Sequence, residues 1–263
     1  MKRSDQGKDA TLNTHVKNIL LNGTMACTLA ILALGTVSAT AQTTKPAAAK
    51  ADPNAVTAID ILLEPDATML QHAQAVNDRL RKVFPKGFAL DATHRPHITL
   101  VQRFVLTKNL DKVYAAVGKV FAGANVTGLK LEAFKYYYIP DKDLGVSGIV
   151  IKPTPELIKL EMQVIDAVTP FAEKTGTSAA FVTGDVPEVL PALITYVSEF
   201  VPKSSGEHYH PHVTTGLAPR EYLDKMLAEP FQSFTFSPAG AAVYHLGHFG
   251  TAAKKLKQFD RKP

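Results

Sequence analysis

Cysteine is almost missing from these 263 residues: the single copy, Cys27, sits inside an apolar run from Met25 to Val37. That run follows Lys2, Arg3, Lys8 and Lys17 and precedes the small-x-small stretch Ala39-Thr40-Ala41. The order is that of a secretory signal peptide over 1–41, with Gln42 as the new N-terminus. Cys27 lies too early in the run for lipid attachment, and cleavage would leave a chain with no thiol. A disulfide framework, thiolate catalysis and cysteine–zinc sites are thereby excluded. Long hydrophobic runs are also lacking, since this one spans 13 residues where a membrane-crossing helix needs roughly 20. Charge of one sign is scarce too. The formal charge is +5, and without residues 1–41 it is +3, from 25 basic and 22 acidic residues. Such a balance tolerates an anionic ligand but does not make a surface that coats a polyanion.

What is present is an ordinary globular composition, 46% hydrophobic and 20% charged. Residues 42–53 have no apolar periodicity and read as a disordered lead-in, so the expected domain runs from 54 to 263. Val56–Leu63 reads as a strand, broken by Pro65-Asp66. Met69, Ala73, Val76, Leu80 and Val83 recur at spacings of three and four, one face of a helix. A strand opened by Pro96 follows, then a helix carrying Leu110 to Phe121. Val126–Ile139 and Val146–Ile151 read as strands joined by the turn 140–143. Thr154 and Pro155 cap a helix to Val168. The signals weaken from Gly176 to Gly206, with a short helix near Leu190–Val197. Pro219 opens another helix, and Phe231–Phe236 and Ala241–Phe249 close the chain as strands. Strand–helix–strand, then the same again, indicates two related lobes.

The most informative feature is a repeated stretch. Pro96-His97-Ile98-Thr99-Leu100 returns 115 positions later as Pro211-His212-Val213-Thr214-Thr215. In a strand, residues i and i+2 share a face. His97 therefore lies beside Thr99, and His212 beside Thr214, with Ile98 and Val213 turned into a core. Two such strands facing each other would bring two imidazoles and two hydroxyls into one pocket. Histidine titrates near 6.5, so at neutral pH one ring of a pair serves as base and the other as acid. Threonine hydroxyls can donate to the non-bridging oxygens of a phosphate diester. No cofactor and no metal are required.

These residues resemble the twin signature of the 2H phosphoesterase superfamily, which contains the bacterial RNA 2′,3′-cyclic phosphodiesterases also called 2′-5′ RNA ligases. The similarity runs from about Ala55 to Phe249. It implies an α+β, bilobal, duplicated fold, with antiparallel sheets lining a central cleft and helices outside. It also implies catalytic roles for His97 and His212 and phosphate binding by Thr99 and Thr214. The expected protein is an exported bacterial phosphodiesterase, periplasmic or secreted, acting on a 2′,3′-cyclic phosphate or related nucleotide or RNA diester. No stable protein partner and no membrane association are implied after cleavage of the leader, and a monomer is expected. Thr215 departs from the aliphatic residue more usual at its position, and the 115-residue spacing points to an insertion near 175–207 that reshapes the substrate mouth. The alternatives are a non-catalytic nucleotide- or RNA-binding module using the same cleft, and reversible 2′-5′ RNA ligation. The chain has no ATP-using lysine motif or glycine-rich phosphate loop, so ligation would have to be cleavage run backwards.

Other candidates are weaker. Arg103 shares the face of His97 and Thr99 if regular alternation continues, and could meet a phosphate oxygen or simply snorkel. His208, His210 and His212 alternate and, with His94 and His97, offer zinc-type ligands without an accompanying carboxylate motif. Tyr136, Tyr137 and Tyr138 could stack a base, though ordinary packing accounts for them. His245 and His248 have opposite parity on one strand. Gly216, on the histidine face, would admit a ligand or mark a bulge.

Overall fold

The structure is a computed structural model that describes residues 52–183, 189 and 191–259. The expected signal peptide and residues 42–51 of the lead-in lie outside them. Five helices and nine strands make up the described chain, in the order β1 (Val56–Pro65), α1 (Ala67–Val83), β2 (Ile98–Leu106), α2 (Leu110–Gly123), β3 (Leu131–Asp141), β4 (Leu144–Ile151), α3 (Pro155–Val168), β5 (Ala172–Glu173), α4 (Pro191–Ser204), β6 (His212–Pro219), α5 (Arg220–Leu227), β7 (Phe234–Phe236), β8 (Pro238–Leu246) and β9 (Ala252–Phe259).

Local chemistry sets the helix starts. The Asp66 carboxylate accepts the Met69 amide at 3.2 Å and caps α1. Thr154 does the same for Leu157 at 3.2 Å, with Pro155 in the first turn of α3, where its missing N–H costs nothing. Pro191, at the first residue of α4, opens that helix rather than limiting it, and α4 runs further than the sequence signals suggest.

The strands form two antiparallel sheets, ordered β5-β2-β1-β8-β9 and β6-β4-β3-β7. The architecture is the expected α+β arrangement of antiparallel sheets with helices. The lobes are not sequence halves, because β8 and β9 return to pair beside β1. The closing strand is an element the sequence reading missed. β9 carries Lys254, Lys255 and Lys257 on the outer edge of its sheet, where lysine discourages further pairing and also erases the apolar alternation that announces a strand.

One face of the first sheet, bearing Ile59, Ile61, Leu63, Val101, Val105 and Val243, enters the main core with apolar residues of α1, α2 and α3. The opposite face carries Ala58, Leu62, Phe104 and Tyr244 in smaller clusters, and in its middle a fully buried carboxylate, Asp60.

Each repeated stretch contains a β-bulge at the same place. In the β1–β2 pair the register passes from Ile61↔Val101 to Leu62↔Thr99, leaving Leu100 as the extra residue. In the β4–β6 pair it passes from Ser147↔Gly216 to Gly148↔Thr214, leaving Thr215. The last position of both stretches is thus the bulged one. A bulge reverses the alternation beyond it, so Gln102 joins Thr99 and Asp60 on one face. Gly216 has φ +149°, a conformation side chains rarely adopt, and a Cβ there would meet Asn77 and Leu80.

Asn77, fully buried on α1, ties these parts together. Its Nδ2 donates to Thr215 O at 2.8 Å and to Phe88 O at 3.0 Å, and its Oδ1 accepts the Leu90 amide at 3.3 Å. One amide thereby holds the second bulge and the loop that leads to His97. Asn77→Leu keeps the volume and strands one buried and two part-buried backbone groups, each costing up to about 1–3 kcal/mol when unpaired. Urea unfolding is expected to show a loss of about 3 kcal/mol or more.

Candidate active site

His97 stands at the entrance to β2. Its Nδ1–H donates to the Arg95 carbonyl at 2.7 Å, which turns Nε2 toward β1. There Nε2 lies 3.4 Å from Asp60 Oδ2. The same oxygen accepts the Thr99 hydroxyl at 2.9 Å and the Gln102 side-chain amide at 3.1 Å. Asp60 Oδ1 is buried with no partner among the described residues. A carboxylate in such a place is costly unless a cation faces it, and the imidazolium of His97 is that cation. Burial pushes the ring toward its neutral form, but the hydrogen bond and the charge of Asp60 outweigh it, so the pKa of His97 is raised.

His212 repeats the backbone contact and lacks the carboxylate. Its Nδ1–H donates to the His210 carbonyl at 2.8 Å. Its ring meets Tyr137 at 4.8 Å between centroids, at a 60° interplanar angle. Burial, opposed by the hydrogen bond to the His210 carbonyl and aided by the lesser effects of the His210 and His97 charges, lowers its pKa to about 4. The ring is therefore neutral at neutral pH, with the Nε2 lone pair free once Nδ1 holds the proton. The charge of His97 contributes to this lowering as the smallest of its causes.

The two threonines differ in the same way. His212 and Thr214 pair with Val150 and Gly148, so they share a face of β6 as expected. No side-chain partner engages the Thr214 hydroxyl among the described residues. Thr99 also faces its histidine, yet its one hydroxyl hydrogen is given to Asp60. In this arrangement the Thr99 hydroxyl is engaged by Asp60, whereas that of Thr214 is not.

Tyr209 closes the space between the two strands, its buried hydroxyl donating to Thr99 O at 2.9 Å. The turn before it is held from α3, where Glu161 Oε2 accepts the Gly206 amide at 3.1 Å. Glu161 is fully buried and its Oε1 has no partner among the described residues. Burial raises its pKa to about 7, against the hydrogen bond from Gly206. Tyr137 reaches His212 because Gly148 lies under its ring; a Cβ at 148 would come within 2.4 Å of Cε1. From α4, packed along β2, Tyr196 remains 42% exposed, and its hydroxyl feels the charge of Asp60. Part of the segment expected to shape the mouth, 184–188 and 190, lies outside the described residues.

Several candidates fall elsewhere. Arg103 pairs with Ile59, on the core face opposite Asp60 and Thr99, with its Nε buried and unpartnered among the described residues. The bulge at Leu100 reverses the parity on which the phosphate contact depended. Gly216 is turned away from His212 by the second bulge, which settles its role as that of a bulge residue. His94 stacks on Phe88 at 4.8 Å and is held by Asp91, and His208 is exposed. Among the described residues no three His, Cys, Asp or Glu side chains gather as a metal site. Of the three tyrosines, Tyr136 packs against Phe231 and Tyr138 donates to Asp224, leaving Tyr137 to the cleft. His245 Nε2 bonds Ala180 O at 2.8 Å, and His248 contacts Phe249. Asp60, Gln102 and Tyr209 are the site residues that sequence reasoning did not single out. An aspartate between Ile59 and Ile61 in an apolar strand was the available signal for the first.

No protein-family model matches the chain, and no curated protein matches it. Similar solved structures include E. coli LigT complexed with ATP, 14% identical over 78% of this chain and 97% of that one, at a TM-score of 0.39. TT0787 of Thermus thermophilus is 15% identical over 78% and 98%, at 0.46. Usb1 of Kluyveromyces marxianus is 10% identical over 76% and 97%, at 0.38.

A carboxyl whose pKa rises on folding contributes stability that is complete below its unfolded value, near 4.5, and is lost as the pH climbs through about 7. Glu161→Gln can keep the acceptor for Gly206 and removes the titration. Melting temperatures measured from pH 4.5 to 7 should decline less steeply for the variant than for the parent protein.

Proposed function

We propose that the protein is an exported phosphodiesterase of the 2H type, hydrolysing a 2′,3′-cyclic phosphate or a related nucleotide or RNA diester. The observation that carries this reading is the opposite bias of two histidines set in repeated surroundings. Asp60 raises the pKa of His97, and burial keeps His212 neutral at neutral pH.

The assignment of roles follows. His212 Nε2 takes a proton from the attacking water as its oxygen bonds to phosphorus. The bond from phosphorus to the leaving oxygen breaks, and His97 gives that oxygen its Nε2 proton. Thr214 donates its hydroxyl to a non-bridging oxygen, where charge builds in the transition state. Thr99 and Gln102 hold Asp60, and through it the imidazolium. The cycle closes when His212 loses its proton to solvent and His97 regains one. Acid, base and hydrogen-bond donor are all protein side chains, so the proposed reaction needs no metal. The leader over 1–41 supports export, which would place the enzyme where nucleases leave short RNA fragments and cyclic ends.

A base that works above about pH 4 and an acid that works below a raised histidine pKa give a bell-shaped profile. With a 2′,3′-cyclic mononucleotide, kcat/KM is expected to rise near pH 4 and to fall on a limb above 6.5. Asp60→Asn should move the falling limb to lower pH and leave the rising limb near its place. His97→Ala and His212→Ala should each lose about 10²–10⁴-fold in kcat while melting as folded proteins; full turnover by either would end this reading. Mass spectrometry of the protein recovered outside the cytoplasm should find Gln42 at its N-terminus.

A further inference from the structure

Beside His97, the Asp60-bearing face of the first sheet opens into a pocket of about 580 Å³. That volume is in the range of pockets that seat a whole organic ligand, well beyond what one phosphate group requires. Its walls are largely apolar, with Leu62, Leu70, Leu90 and Tyr244 among them, and His97 is at its edge.

The charges around this pocket are unequal in what they have left to offer. Glu64 is joined to Lys255 at 2.6 Å and accepts the Tyr244 hydroxyl at 2.9 Å. Asp91 accepts the Thr93 amide at 2.7 Å, the Thr93 hydroxyl at 2.8 Å and the His94 amide at 3.0 Å. Arg95, also in the lining, has no side-chain hydrogen bond or ion pair among the described residues. It lies close enough to Tyr244 for its charge to act on that hydroxyl. Only its main-chain carbonyl is engaged, by His97. The pocket therefore joins an imidazolium, an apolar body and an uncommitted guanidinium, the group best shaped for two-point contact with a phosphate.

We propose that this pocket seats the nucleoside of a nucleotide carrying two separate phosphates, one held at the histidines and the other at Arg95. The proposal rests on the phosphodiesterase reading only for the placement of the first phosphate. It makes Arg95 and the Leu62–Tyr244 surface determinants of specificity for ligands phosphorylated at two positions.

Calorimetric titration of the intact protein tests it with stable, uncleaved ligands. Adenosine 3′,5′-bisphosphate is compared with adenosine 3′-monophosphate, adenosine 5′-monophosphate and pyrophosphate. The bisphosphate is expected to bind at least about tenfold more tightly than any of the other three, as one charge-assisted contact allows. In Arg95→Gln the bisphosphate-to-monophosphate ratio should fall to within about twofold, consistent with loss of that contact. Equal binding of mono- and bisphosphate by the parent protein overturns the proposal, and so does a ratio that survives in Arg95→Gln. Pyrophosphate binding as tightly as the bisphosphate overturns the nucleoside's part in it. The parent protein's ratios decide the matter even if the variant misfolds. The diesterase reading fails on a separate observation, absence of turnover for every diester, so the two failures are distinguishable.

Discussion

A carboxylate with no exposed surface sits in the middle of a sheet, and the site is arranged around what it demands. Asp60 cannot keep its charge there without donors and a cation. Thr99, Gln102 and His97 supply them, all directed at Oδ2. The consequence is an imidazole whose pKa is raised by a neighbour that solvent cannot screen. His212 has the same backbone contact at Nδ1 and an aromatic ring where His97 has an acid. Two nearly identical tetrapeptides thus acquire opposite shifts in proton affinity from residues outside the repeat. A single carboxylate side chain on a neighbouring strand breaks the symmetry, and the proposed direction of proton transfer depends on that break.

The second motif depends on supports that come from far away in the chain. Asn77 on α1 fixes the bulge behind Thr214, Glu161 on α3 fixes the turn before Tyr209, and Tyr209 fastens that turn to the first motif strand. Each is buried, and each answers a backbone group that would otherwise be stranded at the edge of the cleft. The two imidazoles stand at strand entrances, where ladder hydrogen bonds are fewest. Side-chain clamps do there what the sheet does elsewhere.

Much of this could be read from the residues in order. The amphipathic spacing of α1, α2 and α3 and the face shared by each histidine and its threonine follow from periods of 3.6 and 2, and the cap at Thr154 from its place before Pro155. Arg103 was misplaced because a strand's alternation survives only while its register does, and the extra residue at Leu100 reverses it. Gly216 was misplaced by the same device at Thr215. Asp60 was overlooked because its importance lies in cross-strand partners 39 and 42 positions away, a relation no local pattern encodes. β9 escaped because its outward lysines interrupt the rhythm of apolar residues. Arg103, Gly216 and Asp60 share one cause: the place of each is decided by a partner strand as well as by its own.

Gly148 shows how much can rest on an atom that is missing. Its bare Cα gives Tyr137 the room to lie along β4 and cover His212, and a methyl there would collide with both that ring and the Val213 carbonyl. Lifting the phenol would wet the imidazole, return its affinity for protons toward that of a free side chain, and leave two like-charged rings opposing each other at mildly acidic pH. The dryness of the basic partner is therefore written on a strand that carries no reactive group, at a position with no side chain at all.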